Sequence, residues 1–268
     1  MNEKSQIGSK RAARRSPLQV NRPWASGGSG SVPTGIWRLL GMGLLAGWLA
    51  PAAPAFGAIG CTLSNPARDL QTLFPGMTSY REDVKELGHL PQGPEAYAAL
   101  KERVGGDLDP VYEAFDTPYT LYSVFKGSEK IGYVHGVNVP GRGGVIQIFL
   151  AMDPETAVIR RMFYQRLESP GGSALRNPAV TGQFAGLSLA DFYKHDYFAA
   201  ADPGNAADAV GRIAPPENLP ETAGPDWDAT LRGVRKNLIL LDIFAYDRRH
   251  EPFHERAVAA QNEKEGKP

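Results

Sequence analysis

The chain has one cysteine in 268 residues, Cys61, so no internal disulfide is available and a cysteine-built metal cluster is excluded. It has five histidines and no net charge at neutral pH, with 29 basic and 29 acidic residues. It has no apolar run near the ~20 residues that a membrane-spanning helix requires. No nucleophile-elbow serine, Walker loop or zinc-binding histidine pair of the zincin type is present. Nothing pairs a nucleophile with a base, so hydrolytic chemistry has no visible starting point.

The zero net charge hides an asymmetry. Residues 1–38 hold seven Lys/Arg and one acid, leaving 22 basic and 28 acidic residues for the rest. That remainder is acidic and offers no broad field for nucleic acid. The basic start leads through a Gly/Ser run into an apolar stretch from Leu39 to Ala50, then Pro51 and Pro54. A basic flank, a short apolar segment and a small-residue exit at Ala53-Pro54-Ala55 are the parts of a removable signal peptide. Residues 1–58 are therefore expected to be an export leader, and the working part periplasmic or otherwise extracytoplasmic. Ala58-Ile59-Gly60-Cys61 resembles a lipoprotein box, although Leu is missing from its first position. Cys61 is either a lipidated anchor, the only route to a membrane, or a free thiol.

Beyond the leader, residues 59–116 read as an N-terminal helical segment. Pro94 and Glu95 open a helix that Gly105-Gly106 stops, giving 94–104. Residues 117–246 read as a second region. Aromatic and β-branched runs predict strands at 119–125, 131–137, 145–150 and 157–165, joined by short turns in an antiparallel meander. The unbroken apolar run 145–150 is expected to be central and the most buried. Helices are expected near 188–197 and over 226–246, where Leu231, Val234, Leu238 and Leu241 recur at helical spacing. Residues 202–225 read as a long loop, and the charged tail 247–268 is expected to fray. The fold class is α+β, an antiparallel sheet flanked by helices. His135 reads as a histidine packed on the sheet, and Tyr193, Tyr197 and Phe198 as core aromatics. Asp191 and His195 read as a solvated or capping pair. His250 and His254 sit four apart with Pro252 between them, which argues against a shared metal.

The order of motifs is the informative feature. Lys130-Ile131-Gly132-Tyr133-Val134-His135-Gly136-Val137 is followed by Gly143-Gly144. Then come Glu168-Ser169-Pro170-Gly171-Gly172-Ser173 and Phe184-Ala185-Gly186-Leu187-Ser188-Leu189. This resembles the FMN-binding-domain family of Rnf-type and sodium-pumping NADH:quinone reductase subunits and nitrous-oxide-reductase regulators. There a "lifeGYvfgv" hairpin precedes a Gly-Gly loop, an "E-T-P-G-L-G" loop and an "F-x-G-k-s-l" segment. The resemblance covers about residues 117–245. It implies flavin binding in an electron-transfer or maturation system, with a membrane redox complex or a periplasmic protein as partner. It departs at the attachment box, S-G-A-T-x-T in the family, where the last threonine carries FMN. Here the match is Trp227-Asp228-Ala229-Thr230-Leu231-Arg232. An Arg cannot form the ester, and Thr230 is out of register.

Two readings follow. One is noncovalent FMN held by Gly143, Gly144, Glu168, Ser169, Pro170, Gly171, Gly172, Thr230 and Arg232, with Arg232 and the last helix's first turn on the phosphate. The other is a flavin-free binding or assembly module that keeps the fold. Mature protein is expected to begin between residues 56 and 61, which intact-mass spectrometry of exported protein checks. A mass that includes residues 1–38 is the result that would end the export reading.

Overall fold

Pro66 at a helix start, with the Asn65 side chain accepting from the Arg68 N–H, nucleates α1 (Pro66–Leu73). The computed structural model describes residues 60–194 and 210–266. The leader, His195, Tyr197 and Phe198 lie outside the described residues. All the described residues belong to one compact unit.

The four expected strands are present as β2 (Tyr119–Lys126), β3 (Glu129–Gly141), β4 (Gly144–Met152) and β5 (Ile159–Arg166). A fifth, β1 (Ser79–Lys85), escaped the sequence reading. The sheet is an antiparallel meander in the order β1-β2-β3-β4-β5. β1 reads Ser-Tyr-Arg-Glu-Asp-Val-Lys and lies mostly exposed at one edge, where charge discourages further strand pairing and also removes the usual strand signal. Its presence moves the centre of the sheet to β3, which is buried without interruption from Gly132 to Val139. Residues 145–150 are therefore next to the centre rather than at it, with Val145 and Gln147 only half-buried. β1 pairs with β2 through seven residues, and Cys61 bridges Tyr119, so residues on both sides of position 116 share the sheet.

Two apolar clusters flank the sheet. One is small: Leu63, Leu70 and Phe74 of the N-terminal segment pack with Tyr122, Val134 and Phe149. Gly132 has no Cβ because the Phe74 ring occupies that space. The larger cluster joins α2 (Gly93–Val104), α5 (Leu189–Tyr193) and α6 (Gly224–Ala245) to the strands. α3 (Gly172–Leu175) and α4 (Pro178–Thr181) are single turns after β5. Ser188 and Asp191 form a reciprocal capping box on α5. Leu231, Val234, Leu238 and Leu241 are all buried, as their spacing requires. At Gly233 a Cβ would lie 2.6 Å from Ile148 Cδ1, so glycine lets α6 approach β4 closely.

The tail does not fray. α7 (Glu251–Lys264) forms because Pro252 stands in its first turn, where the missing N–H costs nothing, and not in its interior. The His250 N–H and ring anchor its start on Asp242.

α6 also buries a polar stripe. The Asn237 amide donates to the carbonyls of His135 and Ile148, and its oxygen lies 2.7 Å from His135 Nδ1. Lys236 donates to the carbonyls of Tyr112 and Asn138 and lies 3.3 Å from the Glu113 carboxylate. Burial pulls the Lys236 ammonium down to about 8. Arg103 and Asp242, both 1% exposed, form an ion pair at 2.7 Å.

His135 is packed in the core as expected. Burial lowers its pKa from 6.5 to about 4, against the opposing hydrogen bond to Asn237 and with a further push from Lys236. Between those values the unfolded ring binds a proton that the folded ring refuses. Stability therefore falls as pH drops through this window. Urea unfolding at pH 6.5 and pH 5 should show a loss of about 1.5 kcal/mol from this group, on the scale of 1.36 kcal/mol per pKa unit. His135→Gln should remove that share, and an unchanged pH slope in the variant would contradict it.

Candidate functional site

The loops expected to hold a ligand lie at one end of the sheet and do meet. β3 and β4 pair up to Gly141 and Gly144, leaving Arg142 and Gly143 as a two-residue turn. Gly144 adopts φ +114°, which favours glycine. The Gly143 N–H donates to Ser169 Oγ at 3.1 Å. A Cβ on Gly143 would lie 2.6 Å from the Glu168 carbonyl, so only glycine permits this approach. The Arg142 N–H donates to Asp226 Oδ1 at 2.8 Å, and its guanidinium donates to the Thr222 carbonyl. Gly171 faces the methyl group of Ala223, just before α6. Gly143, Ser169, Gly171 and the start of α6 are thus assembled as the motif order implied. Gly172 is buried against Leu167, while Glu168 and Pro170 are exposed, with Glu168 paired to Arg166 at 3.1 Å.

The residues that fill this assembly do not fit FMN. Asp226 is fully buried in the first turn of α6, where a phosphate would need free N–H groups and positive charge. Its carboxylate stands beside that turn and accepts from the Arg142 N–H, and one oxygen, Oδ2, has no hydrogen-bond partner among the described residues. A phosphate there would face a buried like charge. The Ala223 methyl fills the space beside Gly171 that a flavin ring would need.

Thr230 and Arg232 are not part of the assembly. Thr230 is fully buried, and its hydroxyl donates to the Asp226 carbonyl and accepts from Tyr164. Arg232 stands in the third turn of α6, not the first. Its guanidinium donates to the Asp107 carbonyl at 3.0 Å and pairs with Glu113 at 2.6 Å. Its charge therefore serves a buried carboxylate. The expected phosphate clamp is corrected on these grounds. The reason was invisible in the sequence, because Glu113 lies 119 positions away.

Cys61 lies away from the loop cluster. It is 2% exposed and packed with Leu63, Phe74 and Tyr122. The preceding Gly60 carbonyl accepts from Asn138. Burial pushes the thiol up to about 12.

The sequence reading missed a wide cleft of about 910 Å³ where the end of α2, α5, α6 and α7 come together. Phe192 and Tyr193 lie on it, with Phe253, Ala257, Ala260 and Lys264 on the α7 side. Those four α7 residues recur at helical spacing, a signal discounted with the tail. A second cavity of about 280 Å³ lies against β5, beside Arg160, Arg161 and Arg176. Arg160 is paired with Asp153, and Arg176 donates to the Tyr164 carbonyl.

No family model matches the chain, and no curated protein matches it. Among solved structures, the crystal structure of Shewanella oneidensis NqrC is similar, with a TM-score of 0.43 at 14% identity. The match covers 74% of this chain and 90% of that one. The five-stranded antiparallel sheet with flanking helices rests on this chain's own structure.

If the loop cluster is closed, Gly171→Val drives a side chain into Ala223. It should cost about 1–3 kcal/mol, the usual penalty of overpacking. Gly182→Ala, where a Cβ meets open space, should leave the thermal midpoint unchanged. Equal midpoints for both variants would show that the loops leave room.

Proposed function

We propose that the protein is an extracytoplasmic binding or assembly module that keeps the architecture of FMN-binding domains without seating a flavin at the loop cluster. It would act beside a membrane redox complex or a periplasmic partner protein. The motif order over residues 117–245 supports the first part. The observation that carries the second is Asp226, whose buried carboxylate occupies the helix start where a flavin phosphate would sit. The leader-like first 58 residues support export.

Noncovalent FMN elsewhere on the chain is the second reading. One observation favours it. The α2/α5/α6/α7 cleft combines aromatic side chains with Lys194, Arg235, Arg256 and Lys264, a lining that suits an anionic aromatic ligand.

The absorbance spectrum of exported protein, followed by FMN titration read as fluorescence quenching, decides between them. The flavin-free reading expects no flavin bands and no saturable quenching up to high micromolar FMN. Flavin bands that pass into the supernatant on denaturation would replace it with the second reading.

A further inference from the structure

The α2/α5/α6/α7 cleft combines an apolar lining with cationic side chains. Its base is aromatic. Phe192 is fully buried and Tyr193 is 6% exposed. The Tyr193 hydroxyl is already engaged, accepting from Arg103 Nε at 2.6 Å, and the guanidinium groups of Arg103 and Arg235 lie 5.5 and 5.8 Å from its ring centre. The base therefore offers apolar contact and no unmet polar group on the tyrosine. The α7 wall presents Phe253, Ala257, Val258 and Ala260. Small residues at 257 and 260 keep the space open, and Val258 is left 37% exposed.

Charge surrounds this apolar interior with one sign. Among the described residues that line the cleft, four are cationic and none is acidic. Lys194 has Asp191 at 3.5 Å on its own helix, and His254 has Glu102 at 3.2 Å. Arg256 lies over the Phe253 ring at 4.5 Å, and neither Arg256 nor Lys264 has an acidic partner among the described residues. The chain beyond its first 38 residues carries an acidic excess, so this local cationic field is not a sample of the average surface.

From this lining we infer that the cleft binds a single-chain anionic amphiphile: a carboxylate or phosphate head among Arg256, Lys264 and Arg235, with an apolar tail along Tyr193, Phe253 and the two alanines. An inorganic anion would leave the apolar wall in water, and an uncharged hydrocarbon would leave the cations unused. A volume of about 910 Å³ lies within the usual range of small-molecule sites, roughly 300–1,000 Å³. The inference does not depend on the absence of flavin from the loop cluster, which lies at the start of α6 and shares no residue with the cleft.

Monomeric dodecanoate is the probe, titrated calorimetrically into the full exported protein below its micelle concentration. Saturable binding of one molecule per chain is expected. Inorganic phosphate should not compete, and dodecyltrimethylammonium should not bind. Arg256→Glu with Lys264→Glu should weaken dodecanoate at least about tenfold, the fold-change that corresponds to 1.4 kcal/mol. Ala260→Trp should weaken it by filling the tail site. Both variants carry exposed substitutions, and thermal midpoints equal to the wild type would show that they fold. Absence of saturable dodecanoate binding overturns the inference. So does unchanged affinity after charge reversal, or binding to anionic lipid vesicles with none to the monomer. A flavin-free result in the FMN titration leaves these outcomes untouched, because dodecanoate binding is read directly and FMN at the loop cluster shares no residue with the cleft.

Discussion

The seating of α6 on the sheet is the constraint on which the rest depends. A helix that docks by leucines alone can slide by a turn at little cost, whereas buried hydrogen bonds hold only one register. Asn237 fixes α6 to β3 and β4 through two main-chain carbonyls and the His135 ring. One residue earlier, Lys236 reaches the Asn138 carbonyl and the Glu113 carboxylate, which draws the segment around residues 107–113 onto the helix. One turn later, Asp242 holds Arg103 of α2 and His250 before α7. The same helix thus sets the position of α2, of the 107–113 segment and of the tail.

That seating also determines what the start of α6 can do. Its first turn arrives beside the β3–β4 turn and the loop after β5, a geometry suited to an anion. The protein meets this demand with its own Asp226. Arg232, two turns on, is directed to the opposite task of balancing Glu113, a carboxylate 1% exposed. The loop cluster is closed by the chain's own side chains, with Ala223 against Gly171 and Asp226 accepting from the Arg142 N–H.

Some of this was legible in the sequence because the signals are local. The β2 to β5 runs carry period and composition that only a strand satisfies, and Pro94 with Gly105 marks both ends of α2. The order of the Gly-rich loops suggested that Gly143, Ser169 and Gly171 meet, and the meander order β3-β4-β5 is what puts them at one end of the sheet. β1 was not legible, because a charged edge strand looks like a loop until a partner supplies its hydrogen bonds. α7 was not legible because a charged tail reads as frayed until its apolar face meets α5, and Pro252 proves to stand in its first turn.

The sequence by itself determined the class of fold and four of the five strands of the meander, each a property of neighbouring residues or of residue type. The tertiary structure alone decided the partners of charges and thiols. Arg232, Asp226, Lys236 and Cys61 are ordinary polar residues in one dimension. What each does depends on which group, tens to more than a hundred residues away, shares its buried site. Electrostatics in a desolvated interior is set by distance in space, and sequence separation carries no trace of it.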